Sequence, residues 1–78
     1  MKVKIKLVGS LRKYKNDQIN ENSEVSLKSN STINDLINKL DISTDRKLIF
    51  LVNGKQKDSN HKLSDGEKIV VLTMVAGG

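Results

Sequence analysis

A single stretch of this 78-residue chain has the apolar spacing of an amphipathic helix, and it restricts the folds open to the whole chain. Its apolar residues recur at i, i+3, i+4 and i+7, at Ile33, Leu36, Ile37 and Leu40. Thr32 and Asp35 have capping-box spacing at its start. Because one helix covers only one face of a sheet, we expect a two-layer α+β structure whose other sheet face meets solvent.

Strand patterns lie on both sides of this helix. Lysine and apolar residues alternate from Lys2 to Leu7, and Ile19, Val25 and Leu27 indicate a second strand. After the helix come the apolar run 48–52, a brief return strand 55–57 and a last strand from residue 68, separated by the turn dipeptides Asn53-Gly54 and Asp65-Gly66. The predicted order is β-β-α-β-(β)-β, forming a mixed sheet of four or five strands.

Composition excludes several classes of protein. The chain has no cysteine, so it has neither a disulfide nor a thiolate nucleophile, which fits the cytoplasm. A net charge of +5 would suit nucleic acid, but Tyr14 and Phe50 are the only aromatic residues, so we expect no nucleic-acid binding. No segment has membrane-spanning length. His61, the only histidine, is expected in a solvated loop without a second metal ligand, and no metal site is predicted.

The last strand departs from the pattern of the first. Ile69, Val71 and Thr73 share the parity expected to face the core. The opposite parity is also apolar, at Val70, Leu72 and Met74, where the first strand has lysine. An apolar strip on a solvent face is typical of a docking surface. The sequence therefore predicts partner binding there, with Lys4 and Lys6 nearby to steer an acidic surface toward it. The alternative is that another strand or loop of the chain covers the strip.

The chain ends in Gly77-Gly78, directly after this apolar strand. Glycine has no Cβ, so such an end can extend into a narrow slot and present an unhindered carboxylate. We expect one domain over residues 1–74 and a flexible diglycine tail over residues 75–78.

The order of elements, the Asp65-Gly66 turn, the apolar last strand and the diglycine end together resemble the β-grasp sulfur-carrier proteins, relatives of ubiquitin. These include the molybdopterin-synthase small subunit and the thiamine-pathway sulfur carrier. Residues 63–78 look like the ending of the molybdopterin-synthase small subunit. Residues 9–14 are similar to its glycine, leucine and arginine stretch after the first strand, with Val8 where an aromatic residue is common.

This resemblance implies a ubiquitin-like β-grasp fold and a function in sulfur transfer. An adenylating enzyme of the ubiquitin-activating (E1-like) type would use ATP to activate the Gly78 carboxylate, and a sulfur donor would convert the acyl-adenylate to a thiocarboxylate. In molybdopterin synthase the tail would enter the large subunit, and Gly77, Val75 and Ala76 would lie along that path. The chain would bind no cofactor, would not be catalytic alone, and would be a monomer until it joins its partner.

Three other functions stay open. The thiamine-pathway carrier uses the same terminal chemistry, and residues 74–78 suit either carrier. A ubiquitin-like modifier would use the same acyl-adenylate to join Gly78 to a lysine of a target protein. The third is a small basic RNA-binding module whose diglycine has no role.

Overall fold

The computed structural model describes residues 1–14, 17–42 and 47–73. Within these ranges lie five strands, one α-helix and a 3₁₀ turn. They follow in the order β1 (Lys2–Leu7), the 3₁₀ turn (Gly9–Tyr14), β2 (Glu24–Ser26), α1 (Ile33–Lys39), β3 (Leu48–Val52), β4 (Lys55–Lys57) and β5 (Lys68–Thr73). The predicted order of elements is confirmed.

The strands form one mixed sheet in the order β2-β1-β5-β3-β4. β1 and β5 run parallel, whereas the other neighbouring pairs are antiparallel. Parallel neighbours need a crossover connection, and the chain between β1 and β5 contains α1. β5 is consequently hydrogen-bonded on both sides, so its position is fixed as far as Thr73.

A capping box starts α1, as the sequence predicts. The Asp35 backbone N–H donates to Thr32 Oγ1 at 3.2 Å, and the Thr32 N–H donates to Asp35 Oδ2 at 2.8 Å. These bonds satisfy backbone donors that the first turn of a helix leaves free. Lys39, at the other end, donates from Nζ to the Ser26 carbonyl at 2.5 Å, which ties the helix to β2.

The predicted apolar stripe of α1 forms the core with one face of the sheet. Its four members are each no more than 1% exposed. They belong to a single cluster with the inward side chains of the strands, Val3, Ile5, Val25, Val52, Ile69 and Val71. The sheet face that carries these residues is called the inner face, and the opposite face the outer face.

Both predicted turns have the backbone geometry that their residues favour. Asn53 and Gly54 have φ of 51° and 87° and connect the Val52–Lys55 pair of the β3–β4 hairpin. Gly66, at φ 84°, follows Asp65 in the turn that leads into β5. In the left-handed region a Cβ is strained, which explains glycine at the second position of each turn.

Ile19 lies differently from its expected place, and two apolar residues without a predicted place are buried. Ile19 is not part of β2: the chain turns back at Ser23, where φ is 63°, and Ile19 forms an isolated bridge with Val25. Leu11 and Ile42 are 4% and 5% exposed although neither belongs to a periodic segment. They extend the core beyond the helix and sheet.

No helix within the described ranges has the length and apolarity to cross a membrane.

Candidate partner-binding surface and C-terminal segment

The outer face has an apolar strip along its two central strands. Val70 and Leu72 of β5 lie opposite Leu51 and Ile49 of β3 in the antiparallel register, and all of them are half-buried. Opposed residues on one face have Cβ atoms about 5 Å apart, so they cover part of each other. We call these residues, Ile49, Leu51, Val70 and Leu72, the apolar strip.

The structure confirms which β5 residues face the core, and it shows that the outward-facing residues are less exposed than predicted. Ile69 and Val71 are completely buried, and Thr73 is half-buried on the same inner side. Val70 and Leu72 were expected to lie in water, but β3 side chains cover part of them. The strip is therefore wider and less exposed than one strand would make it.

Ile49 and Leu51 are members of the apolar strip that the sequence reasoning missed. The run from Leu48 to Val52 is apolar at both parities, so it gives no sign of which residues face outward. The register assigns them: Phe50 and Leu48 pack against the core, and the two residues between face the other way. The apolar run itself indicated that some of its side chains face outward, because a helix on one face of the sheet cannot cover side chains on both faces.

Lysines line one side of the apolar strip. Lys6 of β1 lies opposite Val70, and Lys4 lies opposite Lys68 of β5. Lys2, Lys4, Lys6 and Lys68 are all exposed. The prediction that β1 carries lysine on the outer face is confirmed.

Two backbone hydrogen bonds and one from a backbone N–H to a side-chain carboxylate fix the start of β5 against β1. The Lys2 N–H donates to Asp65 Oδ1 at 2.8 Å, and Gly66 N–H donates to the Lys2 carbonyl at 2.8 Å. The Lys4 N–H donates to the Glu67 carbonyl at 2.9 Å. Because these bonds hold both strands in one register, the lysines and the apolar strip are presented as one surface.

The 3₁₀ turn packs beside the C-terminal half of β5. The Val8 N–H donates to the Val71 carbonyl at 3.1 Å, and the Leu11 N–H donates to the Val8 carbonyl at 3.3 Å. Leu11 is buried and Arg12 is exposed. Val8, at 39%, is the exposed large hydrophobic residue of the described ranges, and it lies close to where β5 leads into the C-terminal segment.

The remaining predicted site residues lie outside the described residues. These are Met74, Val75, Ala76, Gly77 and Gly78. Their roles in the tail stay predictions, as does the division of the chain at residue 75. The structure places their attachment point, Thr73, at the end of a central strand.

His61 lies in a different setting from the solvated loop that was expected. Its imidazole Nε2 is 3.7 Å from Glu67 Oε2, and the two side chains are 27% and 16% exposed. Nε2 has no hydrogen-bond partner, while the Ser64 N–H donates to Glu67 Oε1 at 2.5 Å. Within the described ranges no three potential metal ligands come together. The contact joins the loop after β4 to the turn before β5.

Comparison with known proteins identifies the family. The chain has the same fold as SAMP1 from Haloferax volcanii, with a TM-score of 0.72, 16% identity and complete coverage of both chains. This match supports the predicted ubiquitin-like β-grasp fold. No curated protein matches the sequence significantly. The family model described as ThiS matches residues 5–78, nearly the whole chain, and the protein therefore belongs to the ThiS family of ubiquitin-like sulfur carriers and modifiers.

Proposed function

We propose that this protein carries sulfur as a thiocarboxylate on Gly78, formed after a partner enzyme has adenylated the Gly78 carboxylate. The observation that carries the proposal is the apolar strip, which reaches Leu72, one residue before the last described position. Five residues extend at most roughly 17 Å, so a partner acting on Gly78 must sit close to the end of β5. The apolar strip is a surface available for that partner.

The chemistry requires little from the carrier. A carboxylate is a poor electrophile, so its oxygen first attacks the α-phosphorus of ATP and pyrophosphate leaves. Sulfur from a donor then attacks the acyl carbon, and AMP leaves. Where the donor is a persulfide, the acyl disulfide that forms is reduced by a thiol to the thiocarboxylate. These steps take place on the main chain, which fits a protein without cysteine. Gly77 and Gly78 have no side chains to block the nucleotide or the sulfur donor.

The partner would dock on the apolar strip. Apolar side chains that are half-buried on a central strand lose their remaining contact with water when another surface covers them, and this burial favours association. The predicted contacts Met74, Val75 and Ala76 would continue the same path toward the active site of the partner. Family members generally work with adenylating enzymes and sulfur acceptors, and we assign the ATP-dependent step to such an enzyme.

For the recipient of the sulfur we propose the precursor of molybdopterin, with this chain as the small subunit of molybdopterin synthase. The support is the Leu11-Arg12 element, which resembles that subunit and packs beside β5. Family membership fits the thiazole of thiamine equally well, and also conjugation of Gly78 to lysines of other proteins.

Intact-mass analysis tests the proposal. The full chain is incubated with ATP, the adenylating enzyme of the same organism, a cysteine desulfurase with L-cysteine as the sulfur source, and a thiol as reductant. We expect pyrophosphate release and a mass increase equal to the replacement of one oxygen by sulfur. An unchanged mass would refute sulfur transfer, and branched diglycine remnants on other proteins would favour the modifier function.

The recipient is tested by offering the charged chain to each acceptor in turn. Loss of the extra sulfur mass to a large molybdopterin-synthase subunit loaded with its pterin precursor would support the proposed recipient. Loss only to a thiazole synthase would replace it with the thiamine pathway.

A further inference from the structure

Charge is distributed unequally across the outer face. On the β1 side of the apolar strip stand Lys4, Lys6 and Lys68. On the β4 side the residue opposite Leu51 is the uncharged Gln56, and Asp58, which follows β4, lines one pocket together with Ile49 and Gln56. A partner that covers the strip would therefore meet cationic side chains along the β1 border, and an amide and a carboxylate along the β4 border.

The positive charge is concentrated where the lysines border the strip. Lys4 has Glu24 opposite it on β2, which offsets part of its charge. Lys6 has Val70 as its neighbour on β5, and Lys68 lies two residues before Val70 on the same face. The described ranges contain one ion pair within 4 Å, His61 with Glu67, so none of these lysines has such a partner there. Lys6 and Lys68 consequently carry the uncompensated charge.

Neither Asp65 nor Glu67 forms an ion pair with Lys6 or Lys68. Asp65 lies near the start of β1, where its carboxylate accepts the Lys2 N–H. Because this carboxylate lies close to Lys2, Lys2 is not counted with Lys4, Lys6 and Lys68. Glu67 has the opposite parity to Lys68 and faces His61. Glu24 is accordingly the acidic residue among the strand positions on the outer face.

This arrangement disfavours a second copy as the occupant of the outer face. Another copy would bring the same excess of lysine over carboxylate, and two such faces repel each other when they are brought together in a desolvated interface. Nucleic acid would match the lysines, but it would leave the neighbouring apolar strip against phosphates, and neither Tyr14 nor Phe50 lies on the outer face to stack a base. A protein surface with an apolar centre and carboxylates on one side matches both borders.

We infer that Lys6 and Lys68 orient the docked partner, by pairing with carboxylates on the side of its apolar docking surface that lies over β1. The inference rests on the proposed function, because the partner is the enzyme that adenylates Gly78. Because the ion pairs form on only one side of the apolar strip, the partner can dock on the strip in only one orientation. It thereby directs the end of β5 at Thr73 toward one side of the partner.

Zero-length coupling with a carbodiimide tests this directly, because it joins a lysine amine only to a carboxylate in contact with it. The probe is the adenylating enzyme that releases pyrophosphate from ATP when the wild-type chain is added. We expect peptides linking Lys6 and Lys68 to aspartate or glutamate of that enzyme. Lys55 and Lys57 serve as internal controls, since they are exposed on the opposite parity of the sheet and should give none.

Charge reversal gives an independent measurement. Lys6→Glu with Lys68→Glu should slow association by about tenfold or more at low salt, and the difference should shrink as salt screens it. The matched Lys55→Glu, Lys57→Glu variant should associate at the wild-type rate. The milder Lys6→Gln, Lys68→Gln variant keeps the test valid if charge reversal disturbs folding, which circular dichroism reports.

The outcomes separate this inference from the proposed function. Suppose that the wild-type chain supports pyrophosphate release, but that both charge-reversed variants associate equally slowly or that the enzyme couples to Lys55 and Lys57. Lys6 and Lys68 would then not orient the partner, and the carrier function would stand. Absence of pyrophosphate release with the wild-type chain would remove both. Binding of RNA at physiological salt that is lost with Lys6→Glu would show that the lysines recognise phosphate and would also overturn the inference.

Discussion

Lys6 of β1 lies directly opposite Val70 of the central strand β5, in the parallel register of these two strands. This pair is the boundary between the charged and the apolar parts of the outer face. The long aliphatic stem of a lysine can pack along apolar surface while its ammonium stays in water. A partner that docks across this boundary would combine apolar burial with charge complementarity. The apolar burial would supply affinity, and the charges would set the association rate and the orientation.

The Lys4–Lys68 pair should reduce stability, because like charges directly opposite each other on neighbouring strands repel. Replacing Lys68 with glutamine should raise the free energy of unfolding by about 0.2–1 kcal/mol at low salt, and salt should remove the gain. Urea unfolding at two ionic strengths measures this. Lys55→Gln, whose lysine lies opposite Val52, is the control without a gain. An equal gain in both variants would assign the effect to net charge.

The capping box should matter strongly because α1 has only seven residues. Thr32→Ala removes the acceptor of the Asp35 N–H and should lower the free energy of unfolding by about 1 kcal/mol. Thr32→Ser keeps the hydroxyl and should cost less. Urea denaturation of both variants checks this, and equal losses would show that the methyl group, not the cap, stabilises the helix start.

The elements with strong local signals could be predicted from the sequence. The stripe from Ile33 to Leu40, the capping box at Thr32 and the turn at Asn53-Gly54 each depend on residues close together in the chain, so tertiary structure has little to override. The burial of Leu11 and Ile42 could not be predicted, because it does not depend on a local pattern. Each is a lone apolar residue in an irregular segment, and only the three-dimensional packing shows that it is buried.

The candidate surface could be predicted only in part. Val70 and Leu72 alternate with core residues on a strand whose parity the sequence shows, so their outward direction followed. The contribution of Ile49 and Leu51 depends on the pairing of β3 with β5, which is a long-range contact. The parallel neighbours β1 and β5 likewise join residues more than sixty positions apart, as in the Lys6–Val70 pair. No local pattern encodes such a register.

The apolar strip should be needed for docking on both of its strands. Leu72→Gln and Ile49→Gln each retain a long side chain but remove apolar contact, and each should weaken binding to the adenylating enzyme by about tenfold. Titration calorimetry measures the affinity, and thermal unfolding should show that each variant stays folded. Ser26→Gln, at an exposed outer-face position on β2, is the control. Loss with Leu72→Gln alone would restrict the surface to β5.

Replacing Gly78 with alanine should abolish charging and leave the folded domain unchanged. The added methyl group would lie beside the carboxyl carbon, where the nucleotide and the sulfur donor must both approach, whereas Gly78 is five residues beyond the last residue of β5. Pyrophosphate release and intact mass report the charging, and the urea midpoint reports the fold. Lys57→Ala, on the exposed edge strand, is the control that should charge normally. A Gly78→Ala variant that is charged at the wild-type rate would show that the active site tolerates a side chain there, and the reason given for the diglycine would be wrong.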